Sequence, residues 1–219
     1  MRRLPIYLLL DVSGSMAGEP IAAVENGVQT MHAALLNEPV ALETAYLSVI
    51  TFSDSAQQVV PLTELNQFVP PRLKTGGMAN LGSALKLVAE CADREVIKAT
   101  PELLGDWIPL VFIMTHGAVN GDIEEGLEEF NKRKWGAVVA CAAGADADPD
   151  ELKKITDSFD QEKTTTAVLK MDAAESASYA AFFRWISDLG EPDYDTNFWK
   201  GRDVIDLPPP PDEEVILFL

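Results

Sequence analysis

Three short polar loops carry the side chains of this sequence that have the types and spacing for shared chemistry. Asp11, Ser13 and Ser15 follow an apolar run, residues 75–80 (TGGMAN) precede a helical pattern, and residues 115–117 (THG) follow a second apolar run. One carboxylate and two hydroxyls on a tight loop supply the hard oxygen ligands that suit Mg²⁺ or Mn²⁺ held partly by water. The first loop is therefore predicted to bind a divalent cation.

Alternating strands and helices position these loops. Near-continuous apolar runs predict buried strands, and apolar residues that recur every three or four positions predict helices. The predicted strands are Leu4–Leu10, Leu47–Phe52, Gln57–Leu62, Ile108–Met114, Gly136–Ala142 and Thr165–Leu169, and the predicted helices are 19–36, Leu81–Ile97, Asp122–Lys134, Pro149–Ser158 and Ala173–Leu189.

This order predicts an α/β fold, a doubly wound and mostly parallel sheet with helices on both faces. Pro61 places the segment Gln57–Leu62 at an edge, as the one antiparallel strand. Sheets of this kind bind ligands outside the carboxyl ends of their strands, which is where the three polar loops are expected.

The charge balance excludes some partners. The 219 residues include 17 Lys and Arg against 35 Asp and Glu, which gives a net charge of −18. A surface this negative repels phosphate backbones and anionic lipid. Neither nucleic acid nor a membrane is therefore expected as a partner. The apolar run Leu4–Leu10 is cut off by Asp11 and no small-residue cleavage site follows it, so a secretion signal is not expected. No stretch approaches the 18 or so apolar residues that a membrane span needs. Cys91 and Cys141 have no CxxC neighbour and are predicted to be buried hydrophobes, which favours a cytoplasmic protein.

The composition changes near Gly190. Residues 1–190 are predicted to form one domain and residues 191–219 an acidic extension, in which eight acids accompany two basic residues. The Pro208–Pro211 run favours polyproline II, and the chain ends in five apolar residues, Val215–Leu219. We expect the extension to lie along the domain or to reach a partner. In one hypothesis Val215–Leu219 adds a strand to the edge of a partner's sheet.

The sequence resembles the von Willebrand factor type A domain. Asp-x-Ser-x-Ser at positions 11–15, directly after a buried first strand, is the signature of that family's metal-ion-dependent adhesion site, and the resemblance covers about residues 4 to 190. The stretches RRLPIYLLLDVSGSM and LETAYLSVITFS and the acidic tail are similar to the bacterial TerY-like branch, which is linked to tellurite resistance and stress response. The resemblance implies a non-catalytic protein-binding module whose metal is completed by a partner's carboxylate. It also makes a kinase or phosphatase of the same stress-response system the expected partner.

Two of the five ligand positions that the resemblance implies are changed. Ala79 stands where the family has Thr, and His116 stands where it commonly has Asp. Three hypotheses remain open: a weakened Mg²⁺ or Mn²⁺ site on the first loop, a docking surface without metal, and a site for Zn²⁺, Ni²⁺ or Cu²⁺ that uses His116. Ala79, Asn80 and His116 are predicted to contact the partner in any of them.

An enzyme is the alternative function. A metal-dependent hydrolase or phosphotransferase in the same crevice would need a general base, for which His116 is the candidate. The sequence lacks the Gly-x-Ser-x-Gly elbow of the α/β-hydrolases, and we do not expect an enzyme.

Overall fold

A seven-stranded sheet organises the part of the chain that the computed structural model describes, which is residues 2–117, 123–143, 147–158, 164–171, 180, 183–186 and 215–218. Its strands are β1 (Leu4–Asp11), β2 (Ala45–Phe52), β3 (Ala56–Glu64), β4 (Leu110–Thr115), β5 (Ala137–Ala143), β6 (Thr165–Met171) and β7 (Val215–Phe218). The helices are α1 (Glu19–Leu35), α2 (Pro39–Thr44), α3 (Leu81–Glu95), α4 (Ile123–Asn131) and α5 (Pro149–Asp157).

The strand order is β3-β2-β1-β4-β5-β6-β7. The five inner strands are parallel, whereas β3 pairs antiparallel with β2 and β7 pairs antiparallel with β6. Strand β1 lies between β2 and β4 in the interior of the sheet, and all eight of its residues are buried. The predicted doubly wound α/β fold is confirmed, with β3 at an edge as Pro61 indicated.

The second antiparallel strand, β7, is a correction to the sequence-based expectation. Val215 pairs with Met171 and Phe218 with Val168, so this segment extends the chain's own sheet. On one side its backbone groups bond to β6, so the segment lies along the chain's own domain, and pairing of its outer side with a partner's sheet stays a prediction. The acidic stretch 191–214 and the boundary at residue 190 lie outside the described residues, as does most of the predicted helix Ala173–Leu189.

Two apolar layers cover the sheet. Alternate residues of β1 point to opposite faces, as in any strand. Ile6 and Leu8 join the cluster that includes α1, and Tyr7 and Leu9 join the cluster that includes α3. In the described part of the chain, no helix is long and apolar enough to cross a membrane.

Helices α3 and α4 meet at two glycines. A Cβ atom added to Gly126 would lie 2.4 Å from the carbonyl oxygen of Gly82. No side chain fits in that gap, so the two backbones pack directly against each other. This contact fixes α3, whose first turn follows the second polar loop.

Candidate functional site

Asp11, the last residue of β1, is the buried centre of the site. Its side chain is 0% exposed, and its Oδ1 accepts a hydrogen bond of 2.7 Å from the Ser13 amide. Its Oδ2 accepts hydrogen bonds from the Thr115 hydroxyl at 2.7 Å and from the His116 amide at 3.3 Å. The carboxylate thus ties the end of β1 to its own loop and to the end of β4. A carboxylate oxygen offers about two acceptor positions, so Oδ1 keeps one for a ligand.

The two serines of the first loop stand side by side. Ser13 Oγ lies 3.0 Å from Ser15 Oγ, and Ser15 is exposed while Ser13 is 4% exposed. The third loop approaches the same point, since a Cβ on Gly117 would lie 3.0 Å from Ser15 Oγ. The structure therefore brings Asp11, Ser13 and Ser15 together with the loop after β4, as the sequence predicts.

Main-chain hydrogen bonds join the first and second loops. The Gly14 amide donates to the Gly77 carbonyl at 2.9 Å, and the Gly76 amide donates to the Val12 carbonyl at 2.8 Å. Gly77 has a φ of 75°, a conformation that side chains rarely adopt. The position of the second loop is thus set by its backbone. We call the surface formed by loops 12–16, 53–55, 75–80 and 115–117, at the carboxyl ends of the strands, the top face.

Two of the predicted partner contacts, Ala79 and Asn80, have structural roles in the described chain. Ala79 is 3% exposed and packs in the cluster that contains α3, so its methyl group offers no surface to a partner. Asn80 is half-buried and acts as the N-cap of α3, because its Oδ1 accepts a hydrogen bond from the Ser83 amide. Such capping orders the helix start and is the structural role that asparagine favours there.

Two residues of the top face were missed by the sequence analysis. Met78 is 63% exposed, although it is apolar and stands beside the buried Ala79. Asp54, which follows β2, is exposed and accepts a hydrogen bond of 2.9 Å from the Met78 amide. Its position two residues after the end of β2 is a signal of the same kind as the one that identified Asp11. The top face therefore carries a second carboxylate and an apolar side chain.

His116 lies at the edge of the site. Its Nδ1 is buried and has no hydrogen-bond partner among the residues that the structure describes. No hydrogen bond in that part of the chain joins the ring to Ser13 or Ser15, whose hydroxyls contact each other. The nucleophile–base contact that a hydrolase requires is thus not formed by these residues.

The sequence profile of the von Willebrand factor type A domain matches residues 6–179. The chain belongs to this family. Von Willebrand factor type A domains are generally non-catalytic protein-interaction modules, and many carry a metal-ion-dependent adhesion site. None of the curated proteins matches the chain in sequence.

Solved structures with the same fold support the assignment. A von Willebrand factor type A protein from Catenulispora acidiphila is 16% identical, with a TM-score of 0.63 over 87% of this chain and 43% of that one. The PilB minor pilin from Streptococcus sanguinis is 12% identical, with a TM-score of 0.60 over 85% and 61%. Proximal thread matrix protein 1 from the mussel byssus, solved with a zinc-occupied metal site, is 18% identical, with a TM-score of 0.56 over 85% and 48%. This chain thus spans less than two thirds of each of these proteins.

Some of the site residues of this von Willebrand factor type A domain are suited to bind a divalent cation, and others are not. Neighbouring ligands around an octahedral Mg²⁺ lie about 2.9 Å apart, since each is about 2.1 Å from the ion. The 3.0 Å separation of the Ser13 and Ser15 hydroxyl oxygens matches that spacing, and Asp11 Oδ1 has a free acceptor position. Ala79 supplies no oxygen, and His116 supplies no negative charge. Among the described residues, no three His, Cys, Asp or Glu side chains cluster as metal ligands.

Proposed function

We propose that this von Willebrand factor type A domain is a non-catalytic binding module that docks a protein partner on its top face through a weakened metal-ion-dependent adhesion site. The observation that carries the proposal is the Ser13–Ser15 hydroxyl pair, at 3.0 Å, beside the buried carboxylate of Asp11. These three residues would hold the cation. The cation supplies a Lewis-acidic position that an incoming carboxylate can occupy.

Mg²⁺ or Mn²⁺ is the proposed ion, because Asp11, Ser13 and Ser15 offer only hard oxygens. The affinity is expected to be low. Divalent cations bind more tightly as the number of charged ligands rises, and this site has one carboxylate where a second would stand at His116. A zinc site is less well supported here, because zinc requires three or four nitrogen, sulfur or carboxylate ligands.

The partner is proposed to provide the missing negative charge. A glutamate or aspartate side chain would complete the cation's ligands, and Met78, which is 63% exposed, would pack against apolar atoms beside it. The similarity of the opening segment and of residues 42–53 to the TerY-like branch supports a place in a tellurite-resistance or stress-response system, with a kinase or phosphatase as partner. The two buried, unpaired cysteines, Cys91 and Cys141, support a cytoplasmic location.

The test is metal calorimetry on the protein and on the double variant Ala79→Thr with His116→Asp. We expect the double variant to bind Mn²⁺ at least tenfold more tightly, since one carboxylate and one hydroxyl are added to the donor set. Addition of Asp11→Asn to the double variant should abolish that gain. Equal Mn²⁺ affinity of the protein and the double variant would show that the three loops do not share a cation.

A kinetic assay on the unaltered protein separates the binding module from an enzyme. Phosphate esters and acyl esters should give no turnover above the buffer rate with Mn²⁺ present. Turnover that His116→Ala removes would identify His116 as a general base and overturn the proposed function.

A further inference from the structure

An apolar groove lies at the end of the sheet opposite to the top face. It is bounded by the last turn of α3, by residues 132–134 after α4, by residues 96–109 and by Arg2, all of which lie at the amino ends of the strands. Its volume is 680 Å³. Pockets that hold a small ligand or a few side chains have volumes of about 300–1,000 Å³. We call this cavity the basal groove.

The wall of the basal groove is apolar and partly open to solvent. Leu104 is 69% exposed and Ile97 is 44% exposed, although both are large aliphatic side chains. Trp107 lies beneath them at 4% exposure, with the Arg2 guanidinium 4.2 Å from its ring centroid. Two adjoining exposed aliphatic side chains over a concave surface are typical of an interaction site.

The rim of the basal groove is cationic in a protein whose net charge is −18. Its lining contains five basic residues against two acids, Asp93 and Asp106. Arg133 is bound by Asp93 at 2.6 Å, which lowers the pKa of that carboxyl group through the hydrogen bond. Lys98 lies 3.8 Å from Asp93 and is largely exposed, and Lys134 forms no ion pair with any residue that the structure describes. Lys98 and Lys134 are thus the rim cations with the weakest internal partners.

The loop that forms the wall is fixed by its own hydrogen bonds. Asp106 accepts a bond of 2.7 Å from the Ile97 amide, and the Asp106 amide donates to the Ile97 carbonyl at 2.9 Å. Gly105 has a φ of 70°, and a Cβ there would lie 2.5 Å from the Ala99 nitrogen. The groove is therefore formed before any ligand binds, which lowers the entropic cost of binding.

We propose that the basal groove binds an acidic peptide segment of a partner protein. Apolar side chains of the peptide would pack on Leu104 and Ile97, and its carboxylates would pair with Lys98 and Lys134. Charge complementarity argues for this occupant. An acidic segment is repelled by most of this protein and attracted here, so the groove determines where it binds. The exposed aliphatic wall argues against a simple anion, which would leave Leu104 and Ile97 in water.

The experiment uses fluorescence anisotropy with the full chain in EDTA, so that the metal site of the top face takes no part. The probe is a rhodamine-labelled octapeptide of alternating glutamate and leucine. The comparison peptides alternate glutamate with serine and lysine with leucine. We expect the glutamate–leucine peptide to bind saturably and at least tenfold more tightly than either comparison peptide.

Matched variants locate the binding. Lys98→Glu with Lys134→Glu should weaken binding of the probe about tenfold, because two attractions become repulsions. The control Lys74→Glu with Lys170→Glu changes the net charge equally at two exposed lysines away from the groove and should change the affinity less than about twofold.

A second pair of variants tests the apolar wall. Leu104→Ser should weaken binding of the probe several-fold, whereas Val69→Ser, at a more exposed position outside the groove, should not. All six positions substituted in these variants and their controls are exposed. The circular dichroism spectra and urea midpoints of the variants should therefore match those of the unaltered protein.

Three results would overturn the proposal. Equal affinity for the glutamate–leucine and glutamate–serine peptides would show that the apolar wall contributes nothing and that binding is a non-specific charge effect. If the control variant Lys74→Glu with Lys170→Glu lost as much affinity as Lys98→Glu with Lys134→Glu, the peptide would not be bound at the basal groove. Concentration-dependent dimerisation that Leu104→Ser abolishes, without peptide binding, would make a second copy of this chain the occupant.

Discussion

Substitution of Asp11 by asparagine tests whether the buried carboxylate holds the top face together without any metal. The carboxylate accepts three hydrogen bonds, from the Ser13 amide, the Thr115 hydroxyl and the His116 amide. An asparagine has one acceptor oxygen and one NH₂ group in place of two acceptor oxygens. With its oxygen towards Ser13, its NH₂ group would face two donors at once.

The cost follows from those contacts. The Thr115 hydroxyl can turn and accept from the new NH₂ group, but the His116 amide has no such freedom and loses its acceptor. An unsatisfied buried donor costs about 1–3 kcal/mol, and exchange of a charged acceptor for a neutral one costs about 1 kcal/mol more. We expect Asp11→Asn to lower the free energy of unfolding by about 2–4 kcal/mol. For a chain of this size that corresponds to a fall in Tm of roughly 5–12 °C.

Differential scanning calorimetry in EDTA measures this effect without a contribution from bound metal. The matched control is Asp54→Asn, an exposed carboxylate of the same face that accepts a hydrogen bond from the Met78 amide. Its free energy of unfolding should change by less than about 0.5 kcal/mol. A Tm of Asp11→Asn within about 1 °C of the unaltered protein would refute the structural role assigned to the carboxylate.

Two further predictions concern the rest of the fold. Gly126→Ala should lower the free energy of unfolding, measured in urea, by about 1–3 kcal/mol, because its Cβ would lie 2.4 Å from the Gly82 carbonyl oxygen. The control Gly76→Ala, whose Cβ would have no atom within 4 Å, should not lower it. A destabilisation no larger than that of the control would show that the two helices can separate freely. Cys91 and Cys141 should not react with a thiol reagent near pH 8 until the protein unfolds, since burial raises the pKa of the Cys91 thiol to about 11 and raises that of Cys141 further. Rapid labelling of either cysteine in the folded protein would contradict their burial.

The sequence predicts the sheet and the first loop well for a physical reason. A central strand covered on both faces must be almost wholly apolar, so Asp11 at the end of Leu4–Leu10 marks both the end of β1 and the start of a polar site. The edge position of β3 follows in the same way from Pro61, whose nitrogen cannot donate to a neighbouring strand.

The features that the sequence does not predict depend on distant parts of the chain. Helix α2 is six residues long, too short for an apolar period, and Ala41 and Thr44 are buried by its neighbours. The apolar end of the chain suits any sheet edge, so its pairing with β6 cannot be read from composition. The hydrogen bond from Thr115 to Asp11 requires β1 and β4 to be adjacent, a property of the strand order. The basal groove forms where helix ends from distant parts of the chain meet. In sequence each of these ends looks like an ordinary solvated helix terminus, so the groove cannot be predicted from any one of them.

The two main-chain bonds between the first and second loops have a consequence for how this site can evolve. Because Gly14 with Gly77 and Gly76 with Val12 are joined through backbone atoms alone, the second loop keeps its place whatever side chain position 79 carries. A hydroxyl at that position can therefore be lost by a single codon change with the contact between the loops intact, whereas its return must find room in the packed cluster around Ala79. In a scaffold of this kind the backbone sets the positions of the loops, and the set of oxygen donors that they carry is a separate trait that point mutations can adjust.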